Sequence, residues 1–224
     1  METKLKIKKF PSRFKLYKED IERGGSSIIS IYIDKNTKKK YIVKELFYKE
    51  DKKQFKNLVH LGKDCKDFFV CPYGIFYKKG QYYIVMEYLN GFLNLDKTKY
   101  ILSKKNRLSI SKKIYHSILR LHKKNMTHND LKPSNILVNP TTLETRIIDF
   151  GSSTIFYTGK ETFSPIDIGY TPGFITLNPY VKHSKDELIQ NDILNLLYFL
   201  YKYVYDKPFT KSKLKYFEKK LNKK

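Results

Sequence analysis

Residues 128–135 read His-Asn-Asp-Leu-Lys-Pro-Ser-Asn, and Asp149-Phe150-Gly151 follows after a short, turn-containing stretch. Asp130 is a carboxylate able to orient an attacking hydroxyl, and Lys132 is a cation two positions away. Asn135 and Asp149 offer hard oxygen atoms of the kind that Mg²⁺ accepts. A carboxylate, a cation near the transferred group and oxygen ligands for a metal are what phosphoryl transfer requires. Taken singly, each residue has a plainer explanation as a turn former or helix cap. Their joint occurrence in this order is what points to chemistry.

The two segments together resemble the H-R-D-L-K-P-x-N loop and D-F-G triplet of the eukaryotic-type protein kinase family, nearly residue by residue. The resemblance implies that Asp130 is the catalytic base, that Lys132 touches the γ-phosphate of ATP, and that Asn135 and Asp149 hold Mg²⁺. Upstream, Tyr41-Ile42-Val43-Lys44 is similar to the family's V-A-I-K, whose lysine binds the α- and β-phosphates. An acidic partner for Lys44 is expected from the following helix. Glu50 is the preferred register, with Asp51 and Gln54 as alternatives.

The phosphate-covering loop matches least. Aligned with G-x-G-x-x-G-x-V, the stretch 21–29 keeps only Gly24 on a glycine position, with Glu22 and Ser27 at the other two. Gly24, Gly25 and Ser26 can still form a tight turn that aims backbone N–H groups at phosphate. This turn also resembles the altered loop of the small kinase subunit of the tRNA-modifying KEOPS complex, although that family's catalytic loop reads differently. Tyr83-Ile84-Val85-Met86-Glu87-Tyr88-Leu89-Asn90-Gly91 is similar to the strand entering the inter-lobe hinge. By that likeness Met86 guards the back of the adenine pocket, and the backbone of Glu87 and Leu89 meets the adenine edge. On composition alone Met86 reads as ordinary core.

Several departures bear on regulation. Asn129 stands where most regulated kinases carry the arginine that pairs with a phosphorylated activation loop, so activity is expected without phosphorylation at Thr158, Thr162 or Ser164. Thr171-Pro172-Gly173-Phe174-Ile175 resembles the substrate-contacting segment, but Asn178-Pro179-Tyr180 replaces the family's A-P-E. Asp192 matches the aspartate that opens the central helix and braces the catalytic loop. Lys132 is the family feature that favours Ser/Thr over Tyr as acceptor. The resemblance therefore implies an ATP- and Mg²⁺-dependent Ser/Thr protein kinase. Two alternatives compete with it: a pseudokinase used as an interaction module, and a kinase-fold ATPase or small-molecule kinase associated with nucleic acid.

The elements that must position these residues can be read from periodicity. Ile28–Ile33 and Lys40–Leu46 are β-branched runs around the turn-prone Asp34-Lys35-Asn36-Thr37, which predicts a hairpin. The stretch 47–61 is expected to be helical, with Phe55, Leu58 and Leu61 on one side. Gly74–Tyr77 and Tyr82–Glu87 read as a second hairpin turning at Lys78-Lys79-Gly80. Ile110, Ile114, Ile118 and Leu121 predict an amphipathic helix over Ser109–Lys124, and an apolar helix is expected over 187–205. Short apolar runs at Asn135–Val138 and Arg146–Phe150 flank another turn. This order implies an α+β, bilobal protein-kinase-like fold with an antiparallel β-sheet small lobe. A single domain is expected: residues 1–87 as small lobe, 88–91 as hinge, and 92–224 as a truncated, mainly helical large lobe ending in a basic tail.

Composition bounds the rest. The chain carries 45 Lys+Arg against 22 Asp+Glu, a formal charge of +23. Such a field attracts acidic proteins, including acidic protein substrates, and nucleic acid. A competing explanation is base composition, since Lys, Asn, Ile and Tyr all have A/T-rich codons, and Lys38–Lys40 and Lys219–Lys224 read as solvated charge. No apolar run reaches membrane-spanning length, and the first residues lack a signal-peptide core, so a cytoplasmic or nuclear location is expected. In such a compartment Cys65 and Cys71 are expected as reduced thiols.

Overall fold

The structure is a computed structural model that describes residues 6–23, 27–48, 52–157, 162–163, 177, 181–207 and 209–222. Contacts divide the chain into two compact units, one made of Met1–Lys66 with Val70–Asn90, the other of Asp67–Phe69 with Gly91–Lys224.

The first unit is built on a six-stranded sheet of β1 (Lys8–Lys9), β2 (Phe14–Arg23), β3 (Ser27–Asp34), β4 (Lys40–Leu46), β5 (Pro72–Lys78) and β6 (Gln81–Glu87), in the order β1-β5-β6-β4-β3-β2. All neighbours are antiparallel except β1, which lies parallel to β5 with Lys8 opposite Phe76. The period-2 alternation of strands sorts the side chains to two faces. One face holds an aromatic-rich cluster of Phe10, Phe14, Val43, Phe76 and Val85, with Tyr32, Tyr41 and Tyr83 packed against it. The other carries Lys44 with its cross-strand neighbours Ile29 and Ile84.

Both expected hairpins form. In the β3–β4 turn Asp34 Oδ1 accepts from the backbone N–H of Asn36 (2.9 Å) and Thr37 (3.4 Å), and Oδ2 meets Arg13 Nε at 2.9 Å. Burial pushes the Asp34 carboxyl up, but these amide donors and the guanidinium more than offset it and hold it below its ordinary value. The β5–β6 loop places Lys79 (φ 48°) and Gly80 (φ 85°) in the left-handed region, the type I′ geometry that matches strand twist.

The helix expected over 47–61 is shorter. Helix α1 spans Lys53–Leu61 and buries Gln54, Asn57, Leu58 and Leu61. Apolar residues at helical spacing begin only there, and Phe47 and Tyr48 lie in an exposed bend. The thiol expectation also needs correction, because Cys65 and Cys71 form a disulfide. A 3-10 turn over Gly62–Lys66 folds the chain back so that the two Cα atoms stand 4.8 Å apart, within disulfide range. Spacing alone does not reveal that turn.

In the second unit β7 (Leu93–Asn94) leads into the short α2 (Leu95–Thr98) and then α3 (Lys104–Lys123). Ser103 caps α3 by accepting from the Asn106 N–H, and Ile110, Ile114, Ile118 and Leu121 are fully buried along one stripe. Next come β8 (Met126–Thr127), β9 (Ile136–Val138), β10 (Thr145–Ile147) and β11 (Thr154–Ile155); β9 and β10 pair antiparallel, with β7 joining as the third strand. Strands β12 (Thr162–Phe163) and β13 (His183–Ser184) pair in front of α4 (Lys185–Tyr205). A capping box between Ser184 and Glu187 starts α4.

The basic tail expected after α4 is instead a helix, α5 (Lys211–Asn222), packed on α3 and α4. Leu214, Phe217 and Leu221 recur at helical spacing and are buried, which the surrounding lysines conceal in a composition-led reading. Tyr115 of α3 donates to Glu218 Oε1 (3.0 Å) and accepts from Asn222 Nδ2 (3.3 Å). Burial is the main cause that pushes the Tyr115 phenol up to about 12.

Candidate active site

The loop between β8 and β9 and the segment after β10 are stitched together within the second unit. Lys132 Nζ lies 2.9 Å from Asp130 Oδ2, and Asn135 Nδ2 donates to the same Oδ2 at 3.1 Å and to the Asp130 carbonyl at 2.8 Å. The Asp130 carboxylate is thus oriented by a cation and an amide. Because the Asn135 nitrogen is spent on Asp130, its oxygen is the atom it can present to a cation. The Ile148 N–H donates to the Asn135 carbonyl (2.9 Å), which brings the residue before Asp149 onto the same loop.

Asp149 is in the left-handed region at φ 61°, uncommon for a residue other than glycine. Phe150 is fully buried, with its ring 5.0 Å from the His128 ring and 5.6 Å from Phe69. His128 Nε2 also meets the Ile148 carbonyl at 3.0 Å.

Two further residues hold the loop. Asp192 is 1% exposed; its Oδ2 accepts from the His128 N–H (2.8 Å) and its Oδ1 from the Asn129 N–H (2.9 Å), while His122 Nε2 lies 3.0 Å from Oδ2. It lies well inside α4 and does not open that helix, because α4 already begins at Lys185. Asn129, at φ 65°, donates through Nδ2 to the Ser152 carbonyl (2.8 Å) and to Thr154 Oγ1 (2.9 Å). Asparagine tolerates this backbone geometry better than most residues. Where the family's usual arginine would reach for a phosphate, Asn129 bonds neutral groups a short way down the chain. His122, Ser152, Thr154 and Phe69 carry no motif and were invisible in the sequence; only the fold shows their place.

In the first unit Lys44 is 6% exposed on the middle of β4, a position at which an ammonium requires polar or anionic partners. Met86 is buried on β6 opposite Ile42. Glu87 donates its N–H to the Cys71 carbonyl (3.1 Å) and accepts from the Cys71 N–H through Oε1 (2.7 Å). Leu89 is partly buried just beyond the strand. Gly24, Gly25, Ser26 and Glu50, and the segments around Thr171–Ile175 and Asn178–Tyr180, lie outside the described residues.

The family description "Protein kinase domain" matches residues 16–219. The chain belongs to the protein kinase family. Among its curated relatives is myosin light chain kinase A of Dictyostelium discoideum, 32% identical over 148 residues, covering 62% of this chain and 50% of that protein. Calcium-dependent protein kinase 4 of Plasmodium falciparum is 30% identical over 162 residues, covering 66% of this chain and 30% of that one. Mitogen-activated protein kinase kinase 7 of Arabidopsis thaliana is 37% identical over 84 residues, covering 37% and 27% respectively. The chain thus spans about half the length, or less, of these relatives. The bilobal α+β fold expected from the sequence is that of this kinase family, and the match continues through most of α5.

The donor set fits magnesium. Among the described residues no three His, Cys, Asp or Glu side chains gather as a metal cage. Magnesium bound beside a nucleotide uses one or two protein oxygens and completes its shell with phosphate and water. An Asn135 oxygen and an Asp149 carboxylate are donors of the kind that could hold it. No helix among the described residues is long and apolar enough to cross a membrane.

Proposed function

We propose that this kinase transfers the γ-phosphoryl group of ATP to a serine or threonine hydroxyl of a protein. The observation that carries this reading is the Asp130 carboxylate held between Lys132 and Asn135 on a loop bonded to the residue before Asp149. In that role Asp130 accepts a hydrogen bond from the acceptor hydroxyl and takes its proton as the oxygen attacks. Lys132, 2.9 Å from that carboxylate, would offset negative charge on the transferred group. Asn135 and Asp149 would hold Mg²⁺, which supplies charge neutralisation along the phosphates.

Lys44 is assigned to the α- and β-phosphates, with Glu50 as its acidic partner, and Gly24, Gly25 and Ser26 to the backbone cover over them. Met86, the Glu87 carbonyl and the Leu89 backbone are assigned to the adenine. The Ser/Thr preference rests on the resemblance of Lys132 to the family's catalytic-loop lysine, and an acidic protein substrate is favoured by the net charge of +23.

The test is incorporation of γ-phosphate from Mg²⁺-ATP into a mixed peptide array and into the chain itself, with Asp130→Ala as control. Transfer to Ser/Thr peptides that falls at least a hundredfold in Asp130→Ala is expected. Equal transfer by both proteins, or ATP binding without transfer by either, would remove the catalytic assignment.

A further inference from the structure

Asn129 has no part in the phosphoryl transfer proposed above, yet its bonds span the two acidic residues that do. It directly precedes Asp130, and its own N–H is held by Asp192 Oδ1 at 2.9 Å. Its side chain reaches the segment that follows Asp149, donating to the Ser152 carbonyl (2.8 Å) and to Thr154 Oγ1 (2.9 Å). Ser153, between them, is fully buried and adds to the fastening: its Oγ donates to the His128 carbonyl at 3.3 Å and its N–H to the Phe150 carbonyl at 3.4 Å. Strand β11 continues it by pairing Thr154 with Thr127 and Ile155 with Met126.

We infer that Asn129 is a positioning residue, whose amide holds the segment 152–154 and thereby keeps Asp149 in the backbone conformation from which it holds magnesium. Asp149 sits at φ 61°, and a residue in that region persists there only where its surroundings over-determine it. Upstream, the Ile148 N–H donates to the Asn135 carbonyl (2.9 Å) and His128 Nε2 meets the Ile148 carbonyl (3.0 Å). Downstream, the buried Phe150 ring and the two Asn129 bonds supply the opposing anchor.

The residue type fits the task. The Ser152 carbonyl can only accept, and a carboxamide nitrogen carries the two N–H donors that this carbonyl and the Thr154 hydroxyl require. Asparagine combines those donors with tolerance of the left-handed backbone that position 129 adopts, at φ 65°. At 4% exposure, solvent does not stand in for a lost partner. Aspartate matches the shape of asparagine and tolerates that backbone but brings no donor, whereas glycine takes the backbone freely and brings no side chain at all. The two substitutions therefore separate the bonds from the volume.

This inference rests on the magnesium assignment of the proposed function and adds to it a residue that is not a metal ligand. The probes are ADP and magnesium chloride. ADP affinity is measured by titration calorimetry with and without the metal, well below the Tm of each variant, alongside native-state hydrogen exchange at residues 150–156. Magnesium should tighten ADP binding to the wild type. Asn129→Gly should weaken magnesium-bound ADP about tenfold, the worth of one to two hydrogen bonds, and leave metal-free ADP affinity within about twofold. Asn129→Asp, with a carboxylate set against the Ser152 carbonyl, should weaken it further. Thr154→Val removes one acceptor and should cost less than Asn129→Gly, and Thr154→Ser, which keeps the hydroxyl, should restore most of that loss. Exchange at 150–156 should rise in the same order, and kcat should fall with it.

Asn129→Asp behaving as wild type while Asn129→Gly fails would show that filling the volume suffices, and would overturn the inference. So would variants that lose ADP affinity equally with and without magnesium, or that lose protection at 150–156 yet keep the full response to the metal. A wild type whose ADP affinity ignores magnesium would instead remove the metal assignment itself, and the inference would fall with it.

Discussion

Replacing Asp192 by asparagine keeps the side chain's size and removes one acceptor oxygen from a buried site with three polar neighbours. If the new NH₂ takes the Oδ1 position it faces the Asn129 N–H; at Oδ2 it faces the His128 N–H and His122. Either way a hydrogen bond to a carboxylate is lost and a backbone donor is left opposed by another donor. A charge-assisted bond is worth about 1.5–3 kcal/mol, and an unmet buried N–H costs about 1–3 kcal/mol. A total near 3 kcal/mol follows for a side chain that is 1% exposed. For a protein of this size that corresponds to a fall of roughly 6–12 °C in Tm. Opening at the amides of His128 and Asn129 should rise by about a hundredfold in native-state hydrogen exchange. Asp186→Asn, on the first turn of the same helix, should change stability by less than about 0.5 kcal/mol. Unchanged exchange at residues 128 and 129 alongside a lower Tm would refute the reasoning, since the loss would then arise elsewhere.

Four other outcomes follow from the same structure. Cys71→Ser should lower stability by about 2 kcal/mol, the loop-closure term for the six-residue separation, and reductant should lower the wild type equally while leaving the variant unaffected. Phe217→Ala removes a ring 1% exposed, packed 5.5 Å from Tyr201 and 5.6 Å from Tyr205, and should cost about 3–5 kcal/mol in denaturant unfolding. Tyr115 keeps its proton in the folded state up to about 12, whereas the unfolded phenol loses it near 10. Its contribution is therefore whole below pH 10 and shrinks as pH rises toward 12, by about 2–3 kcal/mol, and Tyr115→Phe should flatten that part of an alkaline stability profile. Alanine at Thr158, Thr162 and Ser164 together should leave the rate of phosphoryl transfer within about twofold, because Asn129 uses its side chain on Ser152 and Thr154; a tenfold loss in a kinetic assay would contradict this.

How far the sequence could be read depended on the range of the signal. The stripe Ile110, Ile114, Ile118 and Leu121 and the two β-hairpins are local patterns, and each produced the element expected. Asp130, Lys132 and Asn135 lie close together in the chain, so the bonds among them follow from one loop conformation. What escaped needed the fold. The Cys65–Cys71 bridge depends on a 3-10 turn, and β1 pairs with a strand far along the chain. The family resemblance puts Asp192 at a helix start, whereas the capping box that opens α4 is Ser184 with Glu187, several residues earlier. In α5 the apolar spacing was present, but the density of lysine around Leu214, Phe217 and Leu221 read as solvated tail.

The joint made by Asn129 carries one more implication. Amide, carbonyl and hydroxyl groups bear no net charge, so dissolved ions have little hold over the bonds among them. Much of this lysine-laden molecule's behaviour should shift with ionic strength, yet the fastening between residues 129 and 152–154 should keep its strength from dilute buffer to brine.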